Sequence, residues 1–336
     1  MASIDPFAPS PLHDLMYGHV HAAALRAVAV HRIADHLADG PRTAEELAAR
    51  TGTHGPALRR ILRFLATRGL FGEDGRGAFR LEEAGQSLVG GAPGSQLASV
   101  LLLTDPMYAR SAGRLADTLR TGESAFGLAH GMPFFEHLLK SPEDRAAFDA
   151  GMAAHSGPVE ELVAQSYAFP AGARLVDVAG GRGGLLAAVL TREPTLSGTL
   201  FDQPATVAEH VLDRPELAGR WRTAGGDFFT AVPAGGDFYL LKHILHDWSD
   251  EDALRILGSI RRAAGTGGRL LVVDAVLPGG SAPHPGVELD IVMLMVVTGR
   301  ERTAAEFESL LARAGFRLDR ILPTPSVPSV LEAVAV

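Results

Sequence analysis

Leu175-Val176-Asp177-Val178-Ala179-Gly180-Gly181-Arg182-Gly183-Gly184-Leu185-Leu186 is the stretch on which the fold turns. An apolar run of strand length meets a cluster of glycines and passes straight into a helical apolar run. Glycine lets backbone approach a ligand closely, and a helix start offers free N–H groups and a partial positive charge. Dinucleotide-binding and methyl-donor-binding folds share such a turn, so alone it does not choose between them. The spacing G-x-G-x-x-G is not met, because Gly180, Gly181, Gly183 and Gly184 read GGxGG. That disfavours a pyrophosphate and suits a nucleoside with a compact amino-acid tail.

Two acids accompany the turn. Asp177 ends the strand at its mouth. Asp202, followed by Gln203, ends the next predicted strand, 19 residues past Gly183. A carboxylate there can accept both hydroxyls of a ribose. Further strands are predicted at 198–201, 221–224, 238–241 and 269–273, and helices at 184–192 and 250–264. This alternation calls for an α/β domain with a doubly wound, mostly parallel sheet, here expected to hold seven strands over 169–336. A helix at 303–314 follows, then two candidate edge strands at 316–321 and 329–334.

Upstream of the turn the texture is helical. Residues 19–37 form an Ala-rich helix stopped by Asp39-Gly40-Pro41, and Thr43 with Glu46 makes a capping box. A helix at 56–68 places Leu58, Ile61, Leu62 and Leu65 on one stripe, and two short strands flank the Gly72–Gly77 tip. Three helices and a hairpin make a winged-helix pattern over 12–90. Residues 91–168 read as a helical linker ending in one long helix, 142–167.

The 336 residues suffice for two packed domains. A net charge of -8 argues against a nucleic-acid partner, although Arg59, Arg60, Arg63 and Arg68 on the third predicted helix keep a DNA-binding regulator in view. The absence of cysteine excludes disulfides, thiolate metal sites and a thiol nucleophile. The opening residues show no basic region followed by an apolar run, and no apolar window is long enough to span a bilayer. A cytoplasmic protein with no membrane partner is expected.

The segment Leu241-Lys242-His243-Ile244-Leu245-His246-Asp247-Trp248-Ser249-Asp250-Glu251-Asp252 follows the fourth strand of the alternation. It falls beyond a strand's carboxyl end, where open α/β sheets bind ligands. With the winged-helix start, Phe148–Ser156, the glycine turn, Gly226-Asp227-Phe228-Phe229 and Gly299-Arg300-Glu301-Arg302-Thr303, this pattern resembles the plant-type small-molecule O-methyltransferases and their bacterial natural-product relatives. The resemblance spans nearly the whole chain. It implies S-adenosylmethionine as donor, S-adenosylhomocysteine as product, a small aromatic acceptor, and a homodimer formed through the N-terminal domain.

Residue by residue, the resemblance implies His246 as general base on the acceptor hydroxyl, with Glu301 and Asp274 as the acids that hold its imidazole. Asp274 stands where the family usually has glutamate, one methylene longer. Asp202 would take the ribose, Asp227 and Phe228 the adenine, and Lys242, Ser156 and the turn at Gly180 other parts of the donor. Phe148, Met152, His155, Ile291 and Met295 would line the acceptor pocket. Ala179 replaces a frequent glycine, at little cost if its φ is negative.

The chemistry has its own logic. Methyl transfer from a sulfonium needs oxygen aligned with carbon and one proton removed. A phenol with pKa about 10 costs about 4 kcal/mol to ionise at neutral pH. A neutral histidine of ordinary pKa can take that proton during attack, typically for about 10²–10⁴ in rate. Plainer roles stand beside these. His243 is read as structural, Glu301 as a possible surface partner of Arg300 or Arg302, and the run 293–296 as core. Trp248 packs either on the adenine or against its own turn. The acids after His246 cap a helix, so no metal is expected. Donor binding with other chemistry, such as decarboxylation or hydroxylation, and N-methylation remain alternatives.

Overall fold

The structure, a computed structural model, describes residues 10–336; the opening segment read above for a leader lies mostly outside them. The chain separates into two compact units. One comprises the described residues up to Ala109 with Leu138–His155, the other Arg110–His137 with Ser156–Val336.

In the first unit, helices at Ala44–Thr51 and Gly55–Ala66 pack beside a three-stranded sheet. Its strands are β1 (Arg42–Thr43), β2 (Phe71–Glu73) and β3 (Ala78–Leu81), in the order β1-β3-β2. Thr43 both pairs in β1 and caps the following helix through a reciprocal bond with Glu46. Leu58, Leu62 and Leu65 project from the second helix into a core with Leu47, Phe71 and Phe79. Two arginines of that helix, Arg59 and Arg63, lie 3.2 and 3.5 Å from Glu73 on the wing. The single helix expected over 19–37 ends at Val30. Arg32 then adopts φ +53°, and a separate 3₁₀ turn covers Asp35–Leu37.

The second unit is built on an eight-stranded sheet. Its strands are β4 (Arg174–Val178), β5 (Ser197–Asp202), β6 (Trp221–Gly225), β7 (Phe238–Lys242), β8 (Arg269–Leu277), β9 (Arg302–Thr303), β10 (Phe316–Pro323) and β11 (Pro328–Ala335). The order is β10-β11-β8-β7-β4-β5-β6, with two-residue β9 paired to β8. The seven expected strands are all present, and β9 is the addition. Pairs from β6 through β8 are parallel, while β11 lies antiparallel to both β8 and β10. Only β10 is an edge strand at that end. β11 was expected there too, but Val330, Leu331, Ala333 and Ala335 are buried and both of its backbone edges are paired.

Chain order reverses between β4 and β7: β5 and β6 lie outward on one side, β8 on the other. At such a switch point the connections leave in opposite directions and a crevice opens beyond the strand ends. The glycine turn follows β4 and the histidine segment follows β7, so the two motifs are neighbours. The helix after β7, Asp250–Ala264, is fixed by Ser249 accepting the Asp252 amide at 3.2 Å, by three acids in its first turn, and by buried Ala253, Ile256, Leu257 and Ile260.

Candidate active site

The turn after β4 is tightly determined. Gly181 and Gly183 take positive φ, and Gly183 caps the helix Gly184–Arg192. Ala179 also lies in the left-handed region, at φ +54°, so the condition under which it would replace glycine at little cost is not met. An L-residue in that conformation costs about 1–2 kcal/mol. A Cβ on Gly180 would fall on the Asp177 carboxylate and Leu200, and one on Gly184 would fall on the Glu160 carboxylate. Asp202 closes the turn from β5 by accepting the Gly181 amide at 2.8 Å and the Gln203 amide at 2.6 Å. Gln203 is exposed and caps the short helix Pro204–Val207.

Asp177 is 1% exposed and neither of its oxygens meets a hydrogen-bond partner. Burial pushes its carboxyl up to about 7; Lys242 and, more weakly, the nearby Leu186 amide, which falls short of hydrogen-bond geometry, oppose the shift, and Glu160 and Asp202 add to it. Lys242, at the end of β7, pairs with Glu160 at 2.8 Å. Ser156 is buried at the point where the long helix Pro142–Ser166 enters this unit. An orphaned buried carboxylate beneath a glycine cradle, beside three more charges, fits a cationic nucleoside ligand. Asp227 spends its oxygens on its own turn, accepting from the Phe229 amide at 2.9 Å and the Thr230 hydroxyl at 3.4 Å. Phe228 packs edge-on against Phe229 and Trp248. Trp248 stacks on Phe135 with ring centroids 5.4 Å apart, so its ring belongs to an aromatic cluster beside its turn.

Beyond β7 the chain makes a sharp turn through His243, at φ +54°, into a 3₁₀ turn Leu245–Asp247. The His246 ring is buried there, with Nδ1 2.6 Å from Oε1 of Glu301. The other Glu301 oxygen has no partner. Glu301 is therefore an interior residue and not a surface partner of Arg300. Its amide donates to Asp290 at 2.8 Å, which fixes the residue from the helix Pro285–Val296. Asp247 Oδ1 lies 3.6 Å from Nε2.

Asp274 does not hydrogen-bond the imidazole. It is fully buried, with both oxygens lacking hydrogen-bond partners, and its near neighbour is His243 Nδ1 at 3.8 Å. The His243 ring in turn stacks on His246, with centroids 5.3 Å apart. His243, His246 and Asp274 each bring one ligand atom within 4.8 Å of the others, a spacing that a divalent cation could bridge. His246 would have to use Nε2, since Nδ1 is engaged by Glu301.

Burial disfavours an imidazolium at His246, but Asp247, the Glu301 bond and Asp274 outweigh it and raise the group well above its ordinary value. Asp247 and Asp274 are themselves raised, chiefly by burial. Asp247 and Asp274 titrate together with the imidazole they surround. Where the sequence reading took a histidine of ordinary pKa, the surrounding carboxylates favour a proton on His246 in the free site.

Three positioning residues had no assigned role in the sequence reading. Arg302, 1% exposed, donates to the Leu245 carbonyl at 2.7 Å, the Trp248 carbonyl at 3.1 Å and Asp250 at 2.7 Å, clamping the turn on both sides of His246. Gly299 lets the chain cross directly over the His246–Trp248 backbone, where a Cβ would collide. Asp290 is the third. Their signal lay only in an arginine and a glycine flanking Glu301.

The expected acceptor-lining residues fall on two helices. Phe148 and Met152 are partly buried and His155 exposed, at helical spacing on Pro142–Ser166. Ile291 is exposed and Met295 partly so, while Met293 and Val296 face the core. Among the described residues no helix is long and apolar enough to cross a membrane.

Comparison with known proteins matches residues 113–317 to the O-methyltransferase domain and residues 13–91 to the O-methyltransferase dimerisation domain. The chain is 39% identical to the phenazine O-methyltransferase PhzM of Lysobacter antibioticus, over 96% of this chain and 95% of that protein. It is 38% identical to the aclacinomycin 10-hydroxylase RdmB of Streptomyces purpurascens, over 93% and 87%. Among solved structures it resembles CalO1, a methyltransferase of calicheamicin biosynthesis in its S-adenosylhomocysteine-bound form, with 43% identity, a TM-score of 0.87 and 97% of each chain covered.

Proposed function

The chain belongs to the S-adenosylmethionine-dependent O-methyltransferases, and on that premise we propose that it methylates a phenolic hydroxyl of a small aromatic natural product with His246 as general base. The observation that carries the base assignment is the buried His246–Glu301 bond at the end of β7, next to the turn after β4. The donor, when bound, supplies an already activated methyl group that leaves by in-line displacement. Asp202, Asp177, Gly180, Lys242 and Ser156 would hold it, with Gln203, Asp227 and Phe228 toward its nucleoside end.

Glu301 keeps one proton on Nδ1 and fixes the ring, so Nε2 is the atom that exchanges a proton with the acceptor. Nε2 must be free of its proton when attack begins. A cationic donor opposes protonation of a nearby imidazole, so donor binding prepares the base that three carboxylates hold charged in the free site. As the acceptor loses its proton, those same carboxylates stabilise the imidazolium that forms. Asp274 contributes through its charge and not through a bond. Phe148, Met152, His155, Ile291 and Met295 are assigned to the acceptor.

We assign dimerisation to residues 12–90. The match to the dimerisation domain and the exposed Leu12, Leu15, Met16 and Val20 support a homodimer. The divisions 91–168 and 169–336 are proposed as the acceptor-side helices and the donor-binding domain.

The test is labelled S-adenosylmethionine with a panel of phenols and amines, comparing the native protein with His246→Ala. A loss of about 10²–10⁴ in kcat with the true acceptor is expected, and an equally fast variant refutes the base. One S-adenosylhomocysteine per product separates methyl transfer from hydroxylation or decarboxylation on the same fold.

A further inference from the structure

Glu160 has no role in the reaction as described, yet its carboxylate occupies a determined place. It is 17% exposed, pairs with Lys242 Nζ at 2.8 Å, and lies where any side chain on Gly184 would collide with it, at the first turn of the helix Gly184–Arg192. Asp177 sits close to the same point: buried, without a hydrogen-bond partner, and near enough to Glu160 and Lys242 to feel both charges. Asp177 thus feels the Lys242 ammonium together with the carboxylates of Glu160 and Asp202. The Glu160–Lys242 ion pair presents an acid and a base side by side.

An α-amino acid presents the same two charges in the opposite sense. We propose that the Glu160–Lys242 pair is the receptor for the amino-acid end of the donor, Glu160 taking its α-ammonium and Lys242 its α-carboxylate; this rests on the donor reading above. One ion pair becomes two, with no net charge buried by the exchange, and the incoming ammonium also lies toward the orphaned Asp177. Buried charge is tolerated when each group gains a partner. Gly184 leaves the Glu160 carboxylate the volume a Cβ would fill.

The exchange separates the two ends of the ligand, so ligand truncation tests it. Binding of S-adenosylhomocysteine, decarboxylated S-adenosylmethionine and methylthioadenosine is measured by calorimetry on the native protein, Glu160→Gln and Lys242→Met. Glu160→Gln should weaken the first two by about ten- to a hundredfold and leave methylthioadenosine, which lacks the amino acid, within about twofold. Lys242→Met should weaken S-adenosylhomocysteine alone. Methylthioadenosine binding doubles as the check that each variant is folded, and Glu160→Asp should recover part of the loss. If Glu160→Gln binds S-adenosylhomocysteine as tightly as the native protein, or more tightly, Glu160 is no receptor and the proposal falls. If the native protein binds none of the three ligands, the donor reading itself is wrong.

Discussion

Glu301→Gln removes one charge at the proposed base and almost nothing else. The two side chains are isosteric, so no cavity opens, and Gln can still accept the Nδ1 hydrogen through its carbonyl. What is lost is the charge assistance in a 2.6 Å bond to a ring that is 5% exposed. Hydrogen bonds to charged groups contribute about 1.5–3 kcal/mol. If the imidazolium develops fully in the transition state, the plateau value of kcat should fall about 10- to 150-fold. The acceptor KM should change little, because Glu301 bonds to the histidine.

The pH profile moves as well. Glu301 is one of the carboxylates that raise His246. Its neutralisation should move the ascending limb of kcat/KM toward lower pH by about one to two units, since the same 1.5–3 kcal/mol is about that many units at 1.36 kcal/mol each. At neutral pH the two effects oppose: the variant is a weaker base, but a larger share of it is ready. A single-pH assay would therefore understate the change. The assay is a full profile from about pH 6 to about pH 10 with thermal melts alongside. A variant that keeps its melting temperature and shows plateau and limb both within about twofold of native would refute the mechanism.

Ala179→Gly should raise stability by up to about 1 kcal/mol, since glycine relieves the left-handed strain and forfeits part of the gain as unfolded-state entropy; a lower melting temperature would contradict the geometry. Arg302→Met should destabilise by about 1–3 kcal/mol, because the Trp248 carbonyl loses its charged donor and the Leu245 carbonyl keeps only the Trp248 amide at 3.4 Å, and chemical denaturation measures it. The free protein should melt higher near pH 6 than near pH 8. Asp177, with a folded value near 7 against an unfolded 3.8, holds its proton longer in the native state, so stability falls as pH rises between those values. His246, raised by its carboxylates, contributes stability present below its unfolded value and lost as pH rises through the folded one, which acts in the same direction. Asp177→Asn should flatten that slope in a pH series of melts; an unchanged slope would assign it elsewhere. Methyl transfer should survive chelator treatment, and restoration of a lost rate by a divalent cation would make His243, His246 and Asp274 a metal site.

Elements whose determinants are local were legible along the chain. The helix Asp250–Ala264 carries its cap, its first-turn acids and its apolar stripe within one segment, and both of its expected ends coincide with those found. Strands β4, β7 and β8 are near-continuous apolar runs, as a sheet covered on both faces requires. The placement of β11 inside the sheet was not legible, because an apolar strand gives no sign of which neighbours its edges will find. The sign of φ at Ala179 was not legible for a related reason: φ at one residue is set by where the chain must go next.

The site divides in the same way. Sequence by itself determined that a glycine turn with two acids and a histidine segment would end parallel strands, since strand periodicity, glycine and spacing are properties of the chain. Tertiary structure alone decided that the imidazole's partner is Glu301 and not Asp274, that Arg302 is a clamp, and that Glu160 faces Lys242. Those contacts join residues separated by some 50 to 80 positions, and bonding reach is a matter of tenths of an ångström in space, which residue spacing along a chain does not encode.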